Sequence, residues 1–215
     1  MINWFFGASS QWSQKVISGL TGTTVQFGRT ENKELGIQQA MYTPSLFINW
    51  LESLKNLDTP DRIIFNLNIG TPAKLLPYTS KTVLDNYKIF NQWWEDNNTL
   101  QFFKYNLLDY LITERGYRGD VCLITSQISA DHNPAWSHLF TYKSLRAIDY
   151  ELIWNFRNKG VNAYGVCPAT NARPLEWAEY ISKFIQKEST GKKEWLYGVV
   201  EDENSNKLSM LNYSI

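Results

Sequence analysis

The chain has 215 residues, room for one domain of ordinary size with its own core. Apolar residues make up 43% and charged residues 20%, which excludes a disordered or fibrous chain. Lys plus Arg number 21 and Asp plus Glu number 21, so the zero net charge offers no general pull toward nucleic acid or an anionic membrane.

Ile2 to Phe6 is a short apolar run closed by Gly7, the pattern of a buried strand. Gln11 to Leu20 reads as a helix with Val16, Ile17 and Leu20 on one face, stopped by Gly22. Thr24 to Phe27 is a second strand, followed by the polar turn Gly28-Arg29-Thr30, and Ile37 to Tyr42 a third. Ser45 to Leu57 carries Leu46, Phe47, Trp50, Leu51 and Leu54 at helical spacing, with Ser45 in position to cap it. Ile63 to Phe65 is a fourth strand, and a long helical region runs from Thr82 to Thr113 with a break expected near Asn97-Asn98. Val121 to Thr125 is a fifth strand, Tyr142 to Asn158 a helix closed by Gly160, and Val161 to Val166 a sixth strand stopped at Pro168. Leu175 to Gln186 is a helix, and Glu194 to Val200 a seventh strand.

Strand and helix alternate throughout, and the middle strands are apolar on both faces. The pattern predicts a single α/β domain over 1–215, with three layers around a mainly parallel sheet of roughly seven strands. Ligands of such sheets sit beyond the C-terminal strand ends. That directs attention to Gly7 to Ser13, Arg29, Asn66 to Gly70, Thr125 to Ser129 and Pro168 to Pro174.

No apolar run approaches the ~20 residues of a membrane span, and the N-terminus lacks the pattern of a signal peptide. Two cysteines, Cys122 and Cys167, are too few for a disulfide scaffold and fit a reducing compartment, so a cytoplasmic location is expected. His132 and His138 lie in one loop, and no metal site is expected. Trp93-Trp94 and Phe102-Phe103 belong to the core or to a subunit interface.

Several strand-end segments, in order, resemble the short-chain dehydrogenase/reductase superfamily with its Rossmann fold. Gly7-Ala8-Ser9-Ser10 is similar to the start of that family's Gly-rich turn, and Asn68-Ile69-Gly70 to its Asn-Ala-Gly element. Asn98 falls near the family's helix asparagine, Ser126 ends the fifth strand, and Tyr142 opens the next helix. Gly160 to Pro168 is similar to the family's sixth-strand signature. The resemblance implies a cofactor site at Gly7, Ser9, Ser10, Ser13, Arg29, Asn68, Gly70 and Pro168. Arg29 stands where members that prefer NADP(H) to NAD(H) often carry a basic residue. It implies a catalytic set of Tyr142 as acid/base, Ser126 as carbonyl orienter, Arg146 as cation and Asn98 as holder of a water. The substrate would be a small or carrier-bound carbonyl compound, with no nucleic acid or membrane partner, and the assembly a homodimer or homotetramer.

The chain departs from the family at two places. The later glycines of the turn read Gln11 and Ser13, which also resembles the turn of enoyl-thioester reductases. The family's Tyr-x-x-x-Lys reads Tyr142-Lys143-Ser144-Leu145-Arg146. Tyr142 and Arg146 are neighbours on one helix face. A fixed cation there lowers a phenol's pKa from its usual value near 10 and makes it a better proton donor. Arginine supplies the charge but does not release a proton as lysine does. Lys143 points about 100° away, and Asp149 stands where the enoyl-reductase pattern wants lysine. Ser129 is a rival to Ser126. Three readings therefore stand: a carbonyl reductase, an enoyl-thioester reductase, and a Rossmann protein without catalysis that binds a dinucleotide or a partner.

Overall fold

The computed structural model describes residues 1–67, 79, 82–125, 140–167, 175–187, 196–202 and 205–210. Its strands are β1 (Ile2–Phe6), β2 (Thr23–Gly28), β3 (Ile37–Gln39), β4 (Arg62–Phe65), β5 (Asp120–Ile124), β6 (Asn162–Cys167), β7 (Leu196–Asp202) and β8 (Ser205–Met210). The helices are α1 (Gln11–Ser18), α2 (Pro44–Ser53), α3 (Val83–Glu114), α4 (Phe140–Asn158) and α5 (Leu175–Lys187). The sheet order is β3-β2-β1-β4-β5-β6-β7-β8. Every pairing from β3 through β7 is parallel, as expected, and β8 adds an antiparallel edge strand that the sequence reading did not foresee.

Alternation along the strands sends side chains to two cores. Trp4, Phe6, Ile63, Phe65, Val121 and Leu123 pack under α2, α3 and α4 with Trp50, Phe103 and Phe156. Phe5, Ile64, Cys122, Ile124 and Tyr164 pack under α1 and α5 with Trp12, Val16 and Ile181. Phe6 is the hub of the first core: its ring stacks on Phe27 at 4.6 Å and meets Phe103 edge-on at 5.4 Å. Gly19 ends α1, not Gly22. A β-carbon on Gly19 would lie 2.2 Å from Ser182 Oγ, so the absence of a side chain lets α1 and α5 approach.

Two further helices differ from expectation. Pro44 opens α2 and Thr43 precedes it, so Ser45 is not the cap. α3 is one unbroken helix of 32 residues, with no interruption at Asn97-Asn98. Its stretch from Leu100 to Leu111 is locked by Leu100, Phe103, Leu107, Leu108 and Leu111, all buried. None of the described side chains from 83 to 99 is buried. Among the described residues, no helix is long and apolar enough to cross a membrane.

Candidate functional site

Strand order reverses at β1, which lies between β2 and β4. Chain connections leave β1 and β4 on opposite faces, the arrangement at which ligands of such sheets bind beyond the strand ends. Gly7 begins the turn at that point with φ of +88°. A β-carbon there would lie 2.2 Å from the Asn66 carbonyl oxygen, so both conformation and space require glycine. The Gly7 and Ala8 N–H groups donate to the Phe27 carbonyl, at 2.9 and 3.1 Å.

Ser10 caps α1. Its hydroxyl accepts the Ser13 N–H at 3.0 Å. Ser13 is fully buried, and its hydroxyl donates to the Gly7 carbonyl at 2.8 Å. The same oxygen accepts Asn66 Nδ2 at 2.8 Å and lies 2.7 Å from Ser10 Oγ. Ser13 was expected to touch a cofactor; its hydroxyl is instead saturated by the turn, whose shape it holds. Ser9, Ser10 and Gln11 remain exposed at the start of α1, where backbone N–H groups and the dipole favour an anion. Gln11 does not fill the turn.

Arg29 follows β2 and is exposed. It lines a cleft of about 370 Å³ together with Gln39 at the end of β3, Ala40 to Thr43 after it, and Asp96, Thr99 and Leu100 of α3. Tyr42 sits in that wall, packed edge-on against Phe103 at 4.6 Å. Burial pushes the Tyr42 phenol well above its usual pKa, and the Arg29 charge partly opposes this.

On the other side of β4, Thr125 follows β5. Its N–H donates to the Val166 carbonyl at 2.9 Å, and its hydroxyl to Asp149 Oδ2 at 2.9 Å. Asp149 also holds Lys104 Nζ of α3 at 2.5 Å, with both side chains almost fully buried. Neither residue was assigned a role from the sequence. Their signal was phase: Lys104 continues the apolar stripe of Leu100, Leu107, Leu108 and Leu111, and Asp149 that of Leu152, Ile153 and Phe156.

Ser126, Ser129, Asn68, Gly70 and Pro168 lie outside the described residues. Tyr142 and Arg146 belong to the first turns of α4, at the end nearest β5, and their side chains are outside what is described. Asn98 is exposed on α3 and is not among the residues lining the cleft beside Arg29.

No family model matches this chain, and no curated protein sequence matches it. Solved structures do. ElxO with NADP bound superposes with a TM-score of 0.64 at 14% identity, covering 92% of this chain and 96% of that one. Serine dehydrogenase from Escherichia coli gives 0.61 at 18% identity, covering 88% and 91%. 4-Hydroxyisoleucine dehydrogenase complexed with NADH and succinate gives 0.62 at 13%, covering 86% and 89%. At such identities the likeness establishes the fold, which is the one these dehydrogenases share.

Proposed function

We propose that this chain, built on the fold of short-chain dehydrogenases, is an oxidoreductase that uses a nicotinamide dinucleotide, NADP(H) in preference to NAD(H). The observation that carries this reading is the nearness of two anion-seeking features: a β-carbon on Gly28, next to Arg29, would lie 2.7 Å from Ser9 Oγ, just ahead of the capped start of α1. The capped start of α1 stands at the switch point, and Arg29 lines the adjoining cleft. The first suits a pyrophosphate, the second a ribose 2′-phosphate, which Arg29 would grip with its planar fork. The residues present therefore fit the cofactor.

The cofactor, when bound, supplies or accepts hydride at a carbonyl or alcohol carbon. The chain's own task is to manage the proton. Tyr142 gives a proton to the oxygen that gains negative charge, and Arg146, one turn along α4, favours the phenolate left behind. Ser126, directly after Thr125, directs the carbonyl oxygen toward Tyr142. Asn98 of α3 would hold a water for this relay.

Titration of the protein with NADPH and NADH side by side, followed by turnover on ketones and aldehydes, tests the reading. NADPH should bind more tightly. Tyr142→Phe should keep cofactor affinity while lowering turnover by about 10²-fold or more. Failure to bind either dinucleotide overturns the proposal.

A further inference from the structure

Three elements of the fold meet at one buried carboxylate. Asp149 of α4 is 1% exposed, Lys104 of α3 is 2% exposed, and Thr125 at the end of β5 is fully buried. One carboxylate oxygen takes Lys104 Nζ at 2.5 Å and the other accepts the Thr125 hydroxyl at 2.9 Å. Lys104 also donates to Gln101 Oε1 at 3.3 Å. Desolvating two charges offsets much or all of their attraction, and apolar residues of similar volume often serve stability as well or better. Leu107, Leu108, Leu152 and Ile153 show that the surrounding core is otherwise built that way. An ion pair in such a place calls for a reason other than stability.

Its position along the chain supplies one. Thr125 immediately precedes Ser126. Asp149 lies three residues after Arg146 and seven after Tyr142, one and two turns along the same helix. The Thr125–Asp149 hydrogen bond thus joins the strand end that carries Ser126 to the helix that carries Tyr142 and Arg146. Lys104 fixes the other oxygen of that carboxylate against α3, so the carboxylate cannot turn without losing a partner.

We propose that Lys104, Asp149 and Thr125 are positioning residues for the oxidoreductase reaction. They set the height of the β5 end against α4 and thereby the separation of Ser126 and Tyr142. This inference rests on the function proposed above. A carbonyl orienter and a proton donor must converge on one oxygen atom, and displacement by about 1 Å can lower turnover by 10²-fold.

Two variants test it. Lys104→Met combined with Asp149→Leu replaces the ion pair by apolar side chains of similar length. Thr125→Val removes only the hydroxyl that holds the strand end. For each, NADPH affinity is measured by titration. The values of kcat and KM are taken for the carbonyl compound that the unmodified protein reduces fastest in a panel of ketones and aldehydes. Both variants should melt within about 5 °C of the unmodified protein. Both should bind NADPH within about twofold of it, and lose about tenfold or more in kcat with KM little changed. Thr125→Ser should restore most of the lost kcat. Unchanged kcat in the double variant overturns the positioning role and leaves the pair as packing. If the double variant does not fold, Thr125→Val decides by the same measures, and normal kcat there overturns the role. An unmodified protein that binds NADPH but reduces nothing defeats the positioning role and the reductase together, leaving dinucleotide binding. Absence of NADPH binding defeats the cofactor reading itself.

Discussion

Asn66 Nδ2 donates to Ser13 Oγ across 2.8 Å, tying the end of β4 to the first turn of α1. The family pattern would place glycine at position 13, yet here the serine joins three segments. Ser13→Gly should therefore destabilise the fold, by about 1–3 kcal/mol, because Asn66 loses this acceptor and the Gly7 carbonyl this donor. NADPH affinity should not improve. Urea unfolding checks the first statement, and an unchanged midpoint would contradict it.

Arg29→Asp should weaken NADPH by about tenfold or more and NADH hardly at all, since a charge-assisted contact to the 2′-phosphate is lost and a repulsive one gained. Equal losses for the two cofactors would remove Arg29 from the phosphate site.

Alkali should unfold the protein through its buried phenols. Burial raises the pKa of Tyr42, Tyr117 and Tyr164 above the ordinary value of 10.0. The folded chain then binds more protons than the unfolded chain above about pH 10, so stability is full below that pH and falls as pH rises beyond it. A spectrophotometric tyrosine titration should show these three ionising only together with loss of tertiary structure. Reversible titration of all twelve tyrosines in the folded protein would refute this.

Arg146→Lys tests the departure from the family's Tyr-x-x-x-Lys. In an active site adapted to arginine, turnover should fall, because lysine lacks the planar fork and sits differently. A rise in turnover would identify a site that has lost activity since an ancestor with lysine.

Assembly is expected to be dimeric or tetrameric through α3 and α4, on narrower grounds than the sequence suggested. Leu100, Phe103, Leu107, Leu108 and Leu111 of α3, and Leu152, Ile153 and Phe156 of α4, are buried within the chain itself. Among the described large apolar side chains from Leu100 to Glu114 and from Ile148 to Asn158, Tyr105 and Trp154 are exposed. Light scattering at micromolar concentration should show a dimer or larger, and Trp154→Glu should shift it toward monomer. A monomeric unmodified protein ends the argument.

Where a segment's own composition settled its fate, the sequence was enough. Ile63 to Phe65 and Val121 to Ile124 are apolar on both faces and became central strands. Ser205 to Met210 has only Leu208 and Met210 among polar residues, and it is a strand because β7 offers an edge to pair with. The Asn97-Asn98 pair looked like an interruption by propensity, but packing of the flanking helix carries through it. At the site, the turn at Gly7 was legible because turn chemistry is local: the apolar strand stops at that glycine. The partners of Ser13 were not legible, because Asn66 comes from a distant strand. Lys104 and Asp149 are 45 residues apart; helical phase sets each on an apolar stripe, but their pairing appears only when the helices are brought together.

The length of α3 separates it into two parts with different work. At about 1.5 Å per residue its 32 residues extend about 48 Å, whereas the four residues of β4 span about 13 Å. The part from Leu100 onward is a beam embedded in the core. Among the described side chains of the part before it none is buried, and Asp96 and Thr99 at its end wall the cleft beside Arg29. One flank of that cleft is therefore a rigid rod rather than a loop. A change of side chain on it alters the opening in steps of a helical turn, without disturbing the floor beneath.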